Sequence, residues 1–120
     1  MSLTPNDLGR ISERLSMLSR ALDEQTDALE VLDRQAVETR HDYEMAFAKA
    51  FLSSDGAMDV RKQKSVQITG TEKLAAEIAE AKLRACRARI STIKAQIETG
   101  RSLGAALKAE MAFAGSGFTA

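Results

Sequence analysis

The stretch LGRISERLSMLSRALDEQTDALEVLDRQAVETRHDYEMAFAKA, residues 8–50, decides the fold. Alternate steps of three and four through it meet Leu8, Ile11, Leu15, Leu18, Leu22, Gln25, Leu29, Leu32, Ala36, Thr39, Tyr43, Ala46 and Ala50, of which Gln25 and Thr39 alone are polar. An apolar repeat of about 3.5 residues makes a long helix bury one narrow stripe against another helix, as in a coiled coil or thin bundle. The boundaries of this helix are also written in its chemistry. Thr4-Pro5-Asn6-Asp7 offers a hydroxyl cap, a Pro where no amide hydrogen is needed and a carboxylate three residues beyond the cap. Ser53-Ser54-Asp55-Gly56 supplies turn formers and breaks the stripe, so the first helix is expected over about 5–52 and the turn over 53–56.

Beyond the turn the pattern resumes near residue 57, weakly through Val66 and Thr69, then strongly through Ala76, Ala79, Leu83, Cys86, Ile90, Ile93 and Ile97, with Gly100, Gly104, Leu107 and Met111 in the same rhythm. The β-branched and glycine residues of 66–71 lower helix propensity and mark a break, with Thr69 or Thr71 as a cap. The second helix is expected to about 113, and 114–120 to form a flexible tail. The fold class that follows is all-α: one domain made of a long antiparallel helical hairpin, in which residue i faces roughly residue 109 minus i. Leu15 then lies near Ile93 and Ile97, Leu22 near Cys86 and Ile90, and Leu29 near Ala79 and Leu83.

Charge supports the pairing. Residues 1–56 hold 11 acidic and 6 basic side chains, a balance of −5, and residues 57–120 hold 6 and 11, a balance of +5. Oppositely charged arms favour each other, although an exposed pair contributes only a few tenths of a kcal/mol. Two helices alone bury little surface, and self-association into a four-helix bundle is the expected remedy. Ala21, Ala28, Val31 and Val37 on the first arm, with Leu74, Ile78, Ala81 and Ala85 on the second, would supply the extra face.

The chain of 120 residues has one Pro, no Trp and a net charge of zero, a helix-rich composition without a global field to attract nucleic acid or membrane. No apolar run has the length of a signal peptide or a membrane span, and the lone Cys86 fits a reducing compartment, so a cytoplasmic protein is expected. Catalytic, cofactor and metal sites are not indicated. His41 stands among charged residues without ligand partners, Cys86 falls on the core stripe, and Gly100 and Gly104 lack the strand and the Lys-Ser/Thr of a phosphate loop and are read as a close helix approach or a soft joint.

Two features near the turn remain as candidate sites. Phe47, Phe51, Leu52 and Met58 form the bulkiest cluster, either a plug closing the hairpin or an exposed patch for a protein partner. Lys49, Arg61, Lys62 and Lys64 form a basic group able to contact phosphates or a partner. Nucleic-acid binding is the alternative to a protein partner, weakened by the lack of interleaved aromatic residues for base stacking.

The run Ala48-Lys49-Ala50-Phe51-Leu52, Gly56, Arg61-Lys62, Ala88-Arg89-Ile90 and residues 97–103 resembles small helical proteins encoded by bacteriophages and prophages of Gram-positive hosts. The resemblance covers residues 43–110, rests on motifs of low information, and implies a phage accessory protein working beside other proteins, including those of DNA recombination or replication. It transfers no catalytic residue. Hairpins of the WXG family are of similar size, but this chain has no Trp and its turn reads Ser54-Asp55-Gly56.

Overall fold

A computed structural model describes residues 4–116, which form three helices and no strand. Helix α1 spans Pro5–Ser53, α2 spans Met58–Ile68 and α3 spans Gly70–Ser116, so the all-α helical hairpin expected from the stripe is the fold. The start of α1 uses the cap read from the sequence. The Thr4 amide and hydroxyl both donate to Asp7 Oδ2, at 2.8 and 3.0 Å, so the carboxylate makes its half of a capping box. The hydroxyl bonds the carboxylate, and the Asp7 amide donates to Thr4 O at 3.0 Å. The two bonds from Thr4 hold the Asp7 carboxyl below the usual carboxylate range. Their contribution is therefore present above the unfolded-state pKa and is lost as pH falls through the lowered one.

Contacts divide the chain into two compact units: a tip unit, Asp27–Arg87, and a terminal unit made of Met1–Thr26 with Ala88–Ala120. In the tip unit the core gathers Ala36, Ala79 and Leu83, with Leu29 and Leu32 packed against them. In the terminal unit Ile97, Gly104 and Leu107 are buried, and α1 leans into α3 at its glycines. A Cβ added to Gly100 would meet Leu15 Cδ2 at 2.7 Å, and one added to Gly104 would meet Ile11 Cγ2 at 3.5 Å. Leu15 and Ile11 are thus knobs seated where α3 has no side chains.

These contacts correct the expected register. Residue i faces residue 115 minus i at Leu15 and Gly100 and at Ile11 and Gly104, and in the tip unit Ala36 and Ala79 obey the same sum. A heptad stripe matches another stripe every seven residues, so sums of about 108 and 115 both lay seam on seam. The lower one, close to the expected 109, sets Lys62 opposite Ala46 and Glu72 opposite Ala36, and leaves Leu15 against Ile93. The higher one gives Leu15 and Ile11 the two glycine gaps and sets Ser65 opposite the buried Ala50. Steric fit selects it.

The weak segment also differs from expectation. The seam there consists of Ser65 and Thr69, both buried, while Val66 is exposed. Burying two hydroxyls is tolerable because each donates to a carbonyl one turn back, Ser65 Oγ to Arg61 O at 2.8 Å and Thr69 Oγ1 to Ser65 O at 2.6 Å. The Thr69 hydroxyl shares that carbonyl with its own amide, which donates at 3.0 Å, and such back-bonding bends helices. The break falls there, at φ −103° and ψ 17° for Thr69, inside the expected 66–71. Glu72, the next seam residue, buries Oε2 without a hydrogen-bond partner among the described residues.

The turn needs one special residue. Gly56 has φ 113°, a left-handed value that other residues adopt only with strain. Gly115 has no positive φ, and α3 runs through it to Ser116, past the expected end at 113. Residues 117–120 of the expected tail lie outside the described residues.

The glycine gaps give a paired expectation for chemical denaturation. Gly104→Ala should raise stability by about 1 kcal/mol, the helix-propensity gain of Ala over Gly, because its Cβ meets ordinary contact distance. At Gly100 the same change must displace Leu15, and the gain should be cancelled or reversed. Equal gains at both sites would contradict the register.

Candidate functional site

The turn between α1 and α2 gathers the eight residues singled out in the sequence, but it uses them in three ways. An α-helix ends with carbonyls that lack amide partners, and two of those of α1, Ala50 O and Phe51 O, accept from side chains. Ser53 Oγ donates to Lys49 O at 2.8 Å, Ser54 Oγ to Ala50 O at 2.6 Å, and Arg61 reaches back from α2 to Phe51 O with Nε at 3.2 Å and Nη2 at 2.9 Å. The Arg61 guanidinium also lies 4.6 Å from the centre of the Phe51 ring, a cation–π contact. Lys64 Nζ donates to Asp55 O at 3.0 Å. A positive charge at a helix C-terminus is further stabilised by the helix dipole, so Arg61 and Lys64 serve as braces of the hairpin.

The expected basic group is therefore divided. Arg61 and Lys64 donate to backbone carbonyls, Lys64 from an exposed position, whereas Lys49 and Lys62 are exposed with no such bond among those of the turn. The apolar cluster is divided as well. Phe47 and Phe51 are half-buried, with Phe47 edge-on to Tyr43 at 6.2 Å between ring centres and Phe51 beneath the Arg61 guanidinium. Leu52 and Met58 are 78% and 75% exposed, more than any other large apolar residue described, and neither closes the hairpin. Two bulky apolar side chains thus flank the turn in solvent beside the exposed lysines.

The surfaces flanking the seam show an asymmetry that the sequence reading did not extract. Residues that directly follow the second seam position of each heptad project to one edge. In the tip unit this edge carries Asp33 paired with Arg87 at 3.8 Å, and Arg40 donating to Glu80 Oε1 from Nε at 2.9 Å and from Nη2. The Arg40 guanidinium is held above its ordinary pKa by that hydrogen bond and by the Glu80 charge. Asp33 supplies the acidic partner of Arg87 on the basic arm.

Residues that directly precede a seam position project to the opposite edge, and there the tip unit carries Ala28, Val31, Ile68, Ala75, Ile78 and Ala85, along with the charged Glu38, Asp42, Lys49, Lys64 and Lys82. Val31, Ile68 and Ile78 are exposed. The terminal unit, by itself, does not repeat the division: the edge that holds Ala21 and the exposed Met17 and Leu103 also carries Arg10, Arg14, Glu24 and Arg89. A groove of ≈ 390 Å³ beside Gly100 is lined by Arg14, Thr92, Gln96 and Thr99 as well as by Ile11, Leu15 and Leu103. The signal lay in the heptad itself, in the positions beside the seam.

His41 is exposed, Cys86 is buried without a disulfide, and no cluster of three or more metal-ligating side chains occurs among the described residues. No described helix is long and apolar enough to cross a membrane.

If Arg61 braces the tip, Arg61→Ala should cost about 1–2 kcal/mol in urea unfolding, the scale of lost charged hydrogen bonds. Lys62→Ala, one residue away and exposed, should stay within about 0.5 kcal/mol of the parent. Indistinguishable losses at the two positions would remove the brace from the account. Comparison with known proteins finds no family model that matches the chain, and no curated protein or solved structure with significant similarity.

Proposed function

We propose that the protein is a non-enzymatic accessory or adaptor protein that acts through protein–protein contacts of a self-associating helical hairpin. The observation that carries this reading is the tip: Leu52 and Met58, the most exposed large apolar residues described, flank the turn with Lys49 and Lys62 beside them. Exposed apolar side chains rimmed by charge are the composition of a protein-docking patch, whereas a phosphate site would present its cations free. Two of the four cations expected for a phosphate site bind carbonyls of the hairpin instead. The phage context rests on the resemblance of the turn and the 88–103 segment alone, and a cytoplasmic setting belongs to the same proposal.

Self-association draws its support from surface area. The chain exposes 8849 Å² for 13.0 kDa, whereas the scaling for folded monomers gives about 6,300 Å² for this mass. The excess, about 2,500 Å² per chain, is large enough to supply one side of an obligate homodimer interface.

A photoreactive amino acid at Leu52 should crosslink in native cells to one discrete protein other than this chain, and the same probe at the exposed Glu38 should not. Adding Met58→Asp should abolish the product. DNA titrations decide the alternative: binding that weakens steeply with salt and disappears in Lys49→Glu/Lys62→Glu would replace the protein-partner reading with a nucleic-acid one.

A further inference from the structure

The hairpin carries an asymmetry beyond the tip, and it selects a face and an orientation for a second copy. In the tip unit, one edge of the seam holds the Asp33–Arg87 and Arg40–Glu80 pairs, and the opposite edge holds exposed Val31, Ile68 and Ile78 with alanines and a few charges, Glu38, Asp42 and Lys82 among them. A polar edge with satisfied ion pairs gains little from burial, since desolvating charges opposes association. The opposite edge loses apolar exposure when covered. Val37, expected to share the extra face, lies on the polar side two positions before the Thr39 seam residue and is not part of it.

Charge fixes the orientation. Within the tip unit, residues 27–53 hold 6 acidic and 3 basic side chains, and residues 58–87 hold 4 and 7, giving −3 and +3. Two hairpins stacked face to face with a two-fold axis along the helices set α1 of one copy on α3 of the other. A two-fold axis across the helices sets α1 on α1, acidic on acidic. The first arrangement opposes Glu38 and Asp42 of one copy to the half that carries Lys82 in the other; the second repeats like charge.

We infer that the tip-unit face of Ala28, Val31, Ile68, Ile78 and Ala85 docks onto the same face of a second copy, α1 on α3, with both turns at the same end. This rests on the self-association proposed above and deepens it. The dimer would present two Leu52–Met58 patches side by side, and a partner with two matching sites would gain avidity without any new contact.

The test uses the full chain in three arms. Sedimentation equilibrium of the parent should give twice 13.0 kDa. Val31→Glu and Ile78→Glu, made separately, should each shift the mass to the monomer with the helical circular dichroism retained, while Val37→Glu should leave the dimer intact. Spin labels at Asp55→Cys, with Cys86 buried and unlabelled, should report turns within about 40 Å of each other, against about 70 Å if they lie at opposite ends of a helix of 49 residues. A monomeric parent overturns self-association and the inference with it. A dimer that survives both Val31→Glu and Ile78→Glu and dissociates with Val37→Glu leaves self-association standing and overturns the face. A dimer that dissociates as expected but whose labels lie near 70 Å overturns the orientation.

Discussion

Leu15 seated over Gly100 is the contact on which the rest of the structure depends. A Cβ on Gly100 would come within 2.7 Å of the Leu15 side chain, so α1 and α3 approach closely there only because α3 offers no side chain. With Ile11 over Gly104 one heptad step away, this fit picks one register from a series spaced by seven residues. In the tip unit, taken by itself, Asp33 meets Arg87 and Arg40 meets Glu80 on one edge of the seam, and exposed Val31, Ile68 and Ile78 lie on the other.

The tip follows from a second constraint, the unpaired carbonyls at the end of α1. Four helix-end carbonyls have no amide within the helix, and a hairpin buries them beside the arriving chain. Ser54 and Arg61 answer that need at Ala50 and Phe51, and the Arg61 guanidinium lies over the Phe51 ring. What remains exposed beside the turn is Leu52, Met58, Lys49, Lys62 and Lys64.

Much of this was legible in the residues. The seam of α1, the capping box at Thr4 and Asp7, the turn at 53–56 and the break within 66–71 are local patterns, and local physics decides them. Register was not legible, because a heptad repeat is degenerate by one heptad and the deciding fit joins residues 85 apart in sequence, Leu15 and Gly100. Val66 was read as core because it is apolar and β-branched, yet Ser65 takes the buried place, its hydroxyl satisfied by a carbonyl one turn back. Arg61 and Lys64 were read as a free basic group because only the folded turn brings the carbonyls of Phe51 and Asp55 within their reach.

The register claim is open to a direct measurement: nuclear Overhauser contacts from the δ-methyl groups of Leu15 in uniformly labelled protein. The account predicts strong contacts to the α-protons of Gly100, with Ile11 methyl contacts to Gly104 one heptad step away. Leu15 methyl contacts to Ile93 with none to Gly100 would contradict it.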